Sequence, residues 1–531
     1  CVSLLPTPTM RSSPFGPGTS RWPSPSRTFA CSYALTGTAN ATRASTPRRA
    51  ERPAGRDAQT STTPVTQATA NDYTEVVDAA LAHARRLGGA DETIVIVIDK
   101  AEASLRWAGN SMTTNGESMQ RSTTVVSIVR RPGPAGAEAA RVGTVTTTDI
   151  DPAAIPEVVR ASQTAAGSAP PADDAFALLT GSGAPADWDE APTQTGAHVF
   201  GGIAGALSRG FGGTDLLYGF AHHIVDTIWL ATSTGVRRRF TQPTGSVQIN
   251  AKRGDASAWS GVSTPWFDDV PVGAMLDDLS TRLSWADRTV ELPAGRYETL
   301  LPPSAVADLM LSLSWELAGR GAQEGRTAMS APGGGTRVGE KLTDLGLTLS
   351  SDPAAAGLEC APFVFTGASS EMMSVFDNGL DIGPVDWIRD GVVDTLAYSR
   401  AAAAEFGAAS ASGASNLLMT GGDTTLEEMI AGTERGLLLT TLWYIREVDP
   451  TTLLLTGLTR DGVYLIEDGT VTGAVNNFRF NESPLDLLRR TTQAGISETT
   501  LPREWADWAT RAQMPALRVP DFNMSSVSQA Q

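Results

Sequence analysis

The chain has 531 residues, a net charge of −17, four His and three Cys. That length accommodates about two to four domains of roughly 100 to 200 residues each, with cores large enough to be stable, and 41% hydrophobic with 19% charged residues is the composition of an ordinary globular protein. Three Cys cannot build a disulfide framework or a four-thiolate zinc site, and the acidic balance argues against broad binding to phosphate backbones or anionic lipid.

The charge is unevenly spread. Residues 1 to 60 hold eight Arg against Glu51 and Asp57, a balance of +6, so the remaining residues carry −23. Eight Pro and many Ser and Thr accompany those Arg without an apolar stripe, so residues 1 to 70 are expected to be a disordered basic leader. An Arg-rich, acid-poor transit peptide is one reading of it; the favoured one is upstream sequence translated from a misplaced start, not native to the protein. No run approaches the roughly 18 apolar residues of a membrane span; Gly436 to Ile445 is interrupted by Thr440 and Thr441. A soluble, cytoplasmic protein is expected.

From Asn71 a helical stripe runs through Val76, Val77, Ala80, Leu81, Ala84 and Leu87 and stops at Gly88-Gly89. Ile94 to Ile98, five β-branched residues in a row, predict a strand buried on both faces. Further strands are expected over Thr123 to Val129 and Val142 to Thr147, separated by the loop Pro132 to Gly136. Asp151-Pro152 supplies an N-cap and first-turn proline for a helix burying Ile155, Val158, Val159 and Ser162. Ala169 to Asp174 reads as loop, and strand-like runs such as Thr227 to Ala231 and Ser246 to Ile249 follow. Residues 71 to 260 therefore read as an N-terminal α+β domain with α/β character.

Residues 261 to 525 differ. Leu292 to Leu301 reads as a strand, and Ser304 as the cap of a helix with the stripe Val306, Leu309, Met310, Leu313 and Leu317. Asp390-Gly391 and Asp468-Gly469 signal hairpins. Between them Asp423 or Thr424, with Glu427 as capping-box partner, opens a helix with the stripe Leu426, Met429, Ile430, Thr433 and Leu437. The fold class is thus α+β, with an N-terminal α/β domain, a C-terminal domain of mostly antiparallel sheets with a few helices, and a tail over 526 to 531.

Chemistry is hard to find in these residues. The zinc signatures H-E-x-x-H and H-E-x-x-x-H are absent. His222-His223 is the single His cluster, and neighbours in a strand or helix point different ways, so packing or surface use is favoured over ligation. Cys360 reads as a small core residue. There is no G-x-S-x-G elbow, and Pro332-Gly333-Gly334-Gly335 with Gly339 satisfies no phosphate-loop pattern.

The second half nevertheless resembles the TldD/PmbA family. Leu292-Pro293-Ala294-Gly295-Arg296-Tyr297-Glu298 ahead of an apolar helix is similar to the start of that family's C-terminal domain. So are Asn416-Leu417-Leu418, Gly422 to Ile430, Glu434-Arg435-Gly436-Leu437 and the hairpin Gly462 to Gly469 with Ala474 to Asn477. With Ser233-Thr234-Gly235 the resemblance covers roughly residues 72 to 525. It implies a two-subunit metalloprotease, in which a TldD-type chain carries zinc on H-E-x-x-x-H plus a C-terminal Cys and a TldE (PmbA) chain completes a channel for unfolded peptide. The metal-binding helix of TldD-type chains corresponds to the stretch after Pro303, which here reads Leu309 to Gly319 without a His, and no Cys follows Cys360. No ligand carries over. The resemblance thus implies a metal-free, non-catalytic TldE-type subunit, the inactive partner of a hydrolase, with no cofactor of its own, zinc expected in the partner and activity expected only in complex. Edges of the C-terminal sheets are expected to pair with extended peptide. Asn416, Asp423 and Arg435 are the candidates for channel or interface residues; the plainer reading of their segment is a well-capped structural helix. A free-standing peptidase using His222 and Cys360, or a peptide-binding scaffold, are the alternatives.

Overall fold

The run Ile94 to Ile98 lies in a central strand of a six-stranded antiparallel sheet, buried from both sides as its β-branched residues predict. The computed structural model describes residues 70–132, 138–149 and 151–528, all within one compact unit. The leader, most of the Pro132 to Gly136 loop and the last three residues lie outside the described residues. In chain order the first part comprises α1 (Ala70–Leu87), β1 (Glu92–Ala108), β2 (Met112–Pro132), β3 (Glu138–Thr147), α2 (Ile155–Ser168), α3 (Gly201–Gly210), β4 (Leu216–Thr232), β5 (Arg237–Arg253), β6 (Ala256–Thr264) and α4 (Val272–Trp285). The sheet order is β3-β2-β1-β4-β5-β6.

The pleat sends alternate residues of β1 to opposite faces. Val95 and Val97 pack with Val76, Val77 and Ala80 of α1 and Ile155 and Val159 of α2. Farther along the same face Ala103 meets Leu207 of α3 and Leu279 of α4. Ile94 and Ile96 turn the other way and pack with Ile228, Leu230, Phe363, Val375 and Phe376. Helices therefore cover one face, and the chain beyond residue 350 covers the first half of the other.

The remainder forms a second sheet, mostly antiparallel, whose hub is the strand Ala512–Val527. It pairs with Gly295–Leu301, Gln493–Thr500 and Phe478–Glu482 as antiparallel neighbours and with Leu417–Met419 in parallel. The helix α5 (Pro303–Ser314) is enclosed by this sheet: Val306, Leu309, Met310 and Leu313 share one core with Leu517, Val519 and Phe522. The fold is α+β with antiparallel sheets. Both expected hairpins form, Asp390 and Gly391 having φ of 49° and 78°, and Asp468 and Gly469 φ of 49° and 76°, the left-handed pair that a two-residue type I′ turn requires.

Several local expectations are corrected. Asp151 does not cap α2, whose N-cap is Ala154; the Asp151 carboxylate instead accepts from Ala153 N at 2.9 Å and closes the turn ahead of it. Ser304 does not cap α5: Pro302 occupies that position with Pro303 in the first turn, and the Ser304 hydroxyl points to Thr440 O. The capping box of the later helix, Leu426–Ala431, is Thr425 with Glu428, one residue beyond the expected pairing. Leu437 belongs to the strand Arg435–Leu439 and Leu317 lies past the end of α5, so both are buried outside the helices assigned to them. Leu87 is exposed at the fraying end of α1. The Gly-rich α3 was not anticipated; its helix is held by burial of Ile203 and Leu207, tertiary packing outweighing weak propensity.

Candidate functional site

The face of the first sheet that meets the second part of the chain changes character at Lys100. On β1 the residues of this face run Ile94, Ile96, Ile98, then Lys100, Glu102 and Ser104. Antiparallel pairing sets Lys100 opposite Asp226, Glu102 opposite Ile224 and Ser104 opposite His222 on β4. It continues the row to Gln120 and Ser118 on β2, and to Gln242, Thr244 and Ser246 on β5. Directly opposed residues share a face, so half of it is apolar and covered while the other half is a polar wall.

The groups on this wall are organised. Glu102 Oε1 lies 2.8 Å from His222 Nε2, and Lys100 Nζ lies 3.6 Å from Glu102 Oε2. The hydrogen bond from His222 holds the Glu102 carboxyl below its usual range, against the opposing effect of burial. Asp226 is largely buried, and its Oδ1 has no hydrogen-bond partner. Burial pushes its carboxyl up to about 6, although Lys100 and Arg511 pull the other way. His223, one residue from His222, faces the opposite side, where it contacts Thr195 Oγ1 at 2.6 Å and Pro265 O at 2.9 Å; burial lowers its pKa. The two imidazoles thus serve different faces, as adjacent strand residues must.

Beside the wall, between the two sheets, lies a cleft of about 70 Å³ lined by Phe240, Thr244, Pro265, Leu358, Glu359 and Arg511. The Arg511 guanidinium bridges it, donating to Pro243 O at 2.6 Å, to Glu359 O at 3.0 Å and to the Thr244 hydroxyl. Ala361 N donates to Gln242 Oε1 at 3.0 Å, a second tie between the sheets. The β6 strand pairs with Gly245 to Arg253 alone, so among the described residues Arg237 to Thr244 of β5 have no strand on that side. On β2, Met112 to Ser122 likewise extend past the pairing with β3, which begins at Thr123. The strand edge at Met112 to Ser122 therefore runs along the polar wall, able to accept an extended chain by backbone hydrogen bonding.

The three sequence candidates do not meet there as a group. Asn416 is buried: its amide donates to Asp352 O at 2.6 Å and Leu358 O at 2.9 Å, and accepts from Asp352 N at 3.1 Å. It thereby holds the segment that places Leu358 in the cleft. Asp423 is exposed ahead of the Thr425 capping box, and Arg435 is exposed at the start of its strand, opposite Glu467. Cys360 is buried beside the cleft wall, and burial pushes its thiol up to about 11, far from the thiolate a nucleophile needs. Lys100, Glu102, Asp226 and Arg511 were missed by motif search. The available signal was the switch from Ile94–Ile98 to charged Asp99-Lys100 and Glu102 within one strand, matched by His222 and Asp226 in another.

A zinc centre does not fit these residues. α5 contains no His, and its one ionisable side chain, Asp308, is buried and accepts from the backbone N–H groups of Arg503, Glu504 and Trp505 at 3.3, 3.0 and 3.3 Å. Among the described residues no three His, Cys, Asp or Glu side chains gather as a ligand set.

Residues 294–526 match the family model for the PmbA/TldA metallopeptidase C-terminal domain. No curated protein sequence matches the chain. The fold is shared with TldE from Thermococcus kodakarensis, at 14% identity and a TM-score of 0.68 over 84% of this chain and 99% of that one. It is shared also with candidate modulators of DNA gyrase from Bacteroides thetaiotaomicron (16% identity, TM-score 0.68, 86% of this chain and 99% of that one) and Thermotoga maritima (14%, 0.67, 85% and 99%). At such identities those structures speak for the fold, and the match over residues 294–526, which takes in α5 and nearly all of the hub strand, shows a C-terminal domain of the PmbA/TldA metallopeptidase type.

Proposed function

We propose that this chain is a metal-free TldE-type subunit of a cytoplasmic TldD/TldE-type metalloprotease, which holds unfolded peptide while a zinc-bearing TldD-type partner cuts it. The observation that carries the reading is Asp308. On the helix that corresponds to the metal-binding helix of TldD-type chains, the one ionisable group is spent on three backbone N–H groups of a neighbouring turn. Such a carboxylate is unavailable to a cation, and a zinc site lacking its His pair has no means of holding the ion or the water it activates.

The polar wall supports the peptide-holding half of the proposal. The edge at Met112 to Ser122 would recognise backbone rather than side chains, which suits substrates of varied sequence. The edge that supports this reading lies on the first sheet, whereas the sequence directed attention to the C-terminal sheets. Among the described residues no helix is long and apolar enough to cross a membrane.

The test is a pull-down of the full chain from native extract, with metal analysis of the complex and peptidase assay of each component. The expected result is a stoichiometric complex with an H-E-x-x-x-H chain, zinc in that chain, and proteolysis by the complex alone. Chelator-sensitive peptidase activity from the isolated chain would sink the proposal.

A further inference from the structure

Along β1 the polar wall ends in a cation without a counter-ion. Glu102 is held by His222 and Lys100, and Asp226 stands opposite Lys100. Arg106, the next cation on the same face, is exposed, and among the described residues its guanidinium has neither an ion pair nor a hydrogen bond. It lies 6.0 Å from the centre of the Phe220 ring, its direct neighbour on β4, a contact that keeps it on the wall face. Lys252 on β5 is likewise exposed and unpaired, 6.0 Å from the Tyr218 ring, but β5 stands three places from β2 in the sheet.

On its other side Arg106 pairs with Thr114, which lies within the free edge Met112 to Ser122. A chain added to that edge runs two strand spacings, about 10 Å, from β1. The wall-face residues that intervene on β2 are uncharged, and those nearest Arg106 are short: Thr114, Gly116, Ser118 and then Gln120. A carboxylate side chain placed beside Thr114 can therefore reach across to the Arg106 guanidinium. The other face of the edge has the reverse bias. Glu117 is exposed there and accepts from Ala197 N at 2.6 Å, while Arg121 is already taken by Asp99 at 3.2 Å, so an acid on that face meets like charge. Successive side chains of a strand point to opposite faces, so the edge favours acids at alternate positions.

We propose that Arg106 is a specificity-determining residue, which selects a peptide carrying Asp or Glu side chains on the wall face of the strand it adds along Met112 to Ser122. The inference rests on the peptide-holding part of the reading above and not on the partner subunit. It narrows the substrate class from any unfolded chain to one with acidic residues at alternate positions. An exposed charge pair has modest worth, so the effect is a graded preference and not an all-or-none requirement.

The experiment measures, by fluorescence anisotropy, binding to the full chain of two labelled Ser-Gly peptides that differ in carrying Glu or Gln at alternate positions. Wild type is expected to bind the Glu peptide about fivefold more tightly at low salt, with the preference shrinking in high salt. Arg106→Gln is expected to abolish the preference while its melting matches wild type, since the side chain is exposed. Arg106→Lys is expected to keep part of it. Lys252→Gln removes the same charge from a strand three places from β2 and is expected to keep nearly all of it. Equal binding of both peptides by wild type, or a preference that survives in Arg106→Gln, would overturn the role of Arg106 while leaving peptide holding intact. An equal loss of preference in Lys252→Gln would assign it to overall charge and overturn the local pairing. A wild-type chain that binds neither peptide would overturn the peptide-holding reading and this inference with it.

Discussion

The Asp308 carboxylate lies 3.0 Å from the backbone nitrogen of Glu504, across 196 positions of sequence, and this contact ties the buried helix α5 to an exposed turn. Burial raises the Asp308 carboxyl well above its ordinary range, while the three N–H groups that face it act in the opposite sense. Asp308→Ala leaves those N–H groups buried without an acceptor, a loss of about 3 kcal/mol of stability by the usual cost of unsatisfied groups. Asp308→Asn keeps one acceptor oxygen and is expected to lose less than half as much. Urea denaturation of the full chain distinguishes the two; equal midpoints for Ala and wild type would remove Asp308 from its anchoring role.

Glu316, two residues beyond α5, supplies a pH dependence. Burial, with the charge of Glu447 adding to it, raises its carboxyl from 4.5 to about 7, although Ala328 N donates to it at 3.2 Å. The folded state thus binds the proton more tightly than the unfolded state. Stability from this group is fully present below about pH 4.5 and declines as pH rises toward 7. Glu316→Gln retains an acceptor for Ala328 and is expected to flatten that decline. The comparison is of urea midpoints at pH 5 and pH 7.5, and an unchanged slope would assign the pH dependence elsewhere.

Lys100 and Asp226 are opposed across β1 and β4. Removing the cation by Lys100→Met takes away one of the two charges that restrain the Asp226 carboxyl, now at about 6. Its pKa is expected to climb further, so the variant loses stability relative to wild type increasingly between pH 6 and pH 8. Thermal melts across that range test the sign; a gap that narrows with rising pH contradicts it.

Arg511 holds the cleft by donating to three acceptors. Arg511→Lys cannot reproduce a planar fork and Arg511→Ala removes it, so both are expected to cost about 1 to 3 kcal/mol. Limited proteolysis is expected to show faster cleavage around Gly357 to Glu359. Unaltered cleavage in Arg511→Ala would mean the loop is held by other groups.

Gly391 and Gly469 close the two hairpins with left-handed φ, and a Cβ would stand 2.3 Å from Thr343 O at the first and 2.6 Å from Ala431 O at the second. Gly391→Ala and Gly469→Ala are each expected to cost about 2 kcal/mol or more, the left-handed penalty of roughly 1 to 2 kcal/mol rising with the backbone clash. Urea midpoints equal to wild type would show that the turns can relax.

How far the molecule was legible from its residues depends on the range of the forces involved. The run Ile94 to Ile98 and the Asp-Gly turns carry their conformation in neighbouring atoms, and both form as expected. Caps were legible only to within a residue or two, because several hydroxyls and carboxylates compete for one helix end: Thr425 takes the position that Asp423 or Thr424 was expected to hold. The candidate Asn416 drew notice as a polar residue in a family-like segment, yet its amide is spent on Asp352 and Leu358.

The sequence by itself determined the α+β class, the hairpins, the family resemblance of the second half and the lack of a His pair on α5, since each is a matter of residue identity and short spacing. Only the tertiary structure decided that Lys100, Glu102, His222 and Asp226 share one wall, that Arg511 bridges a cleft and that Asp308 anchors a turn almost two hundred residues away. Those relationships come from strand register and from burial, which makes an unpaired polar group costly and so selects its distant partner.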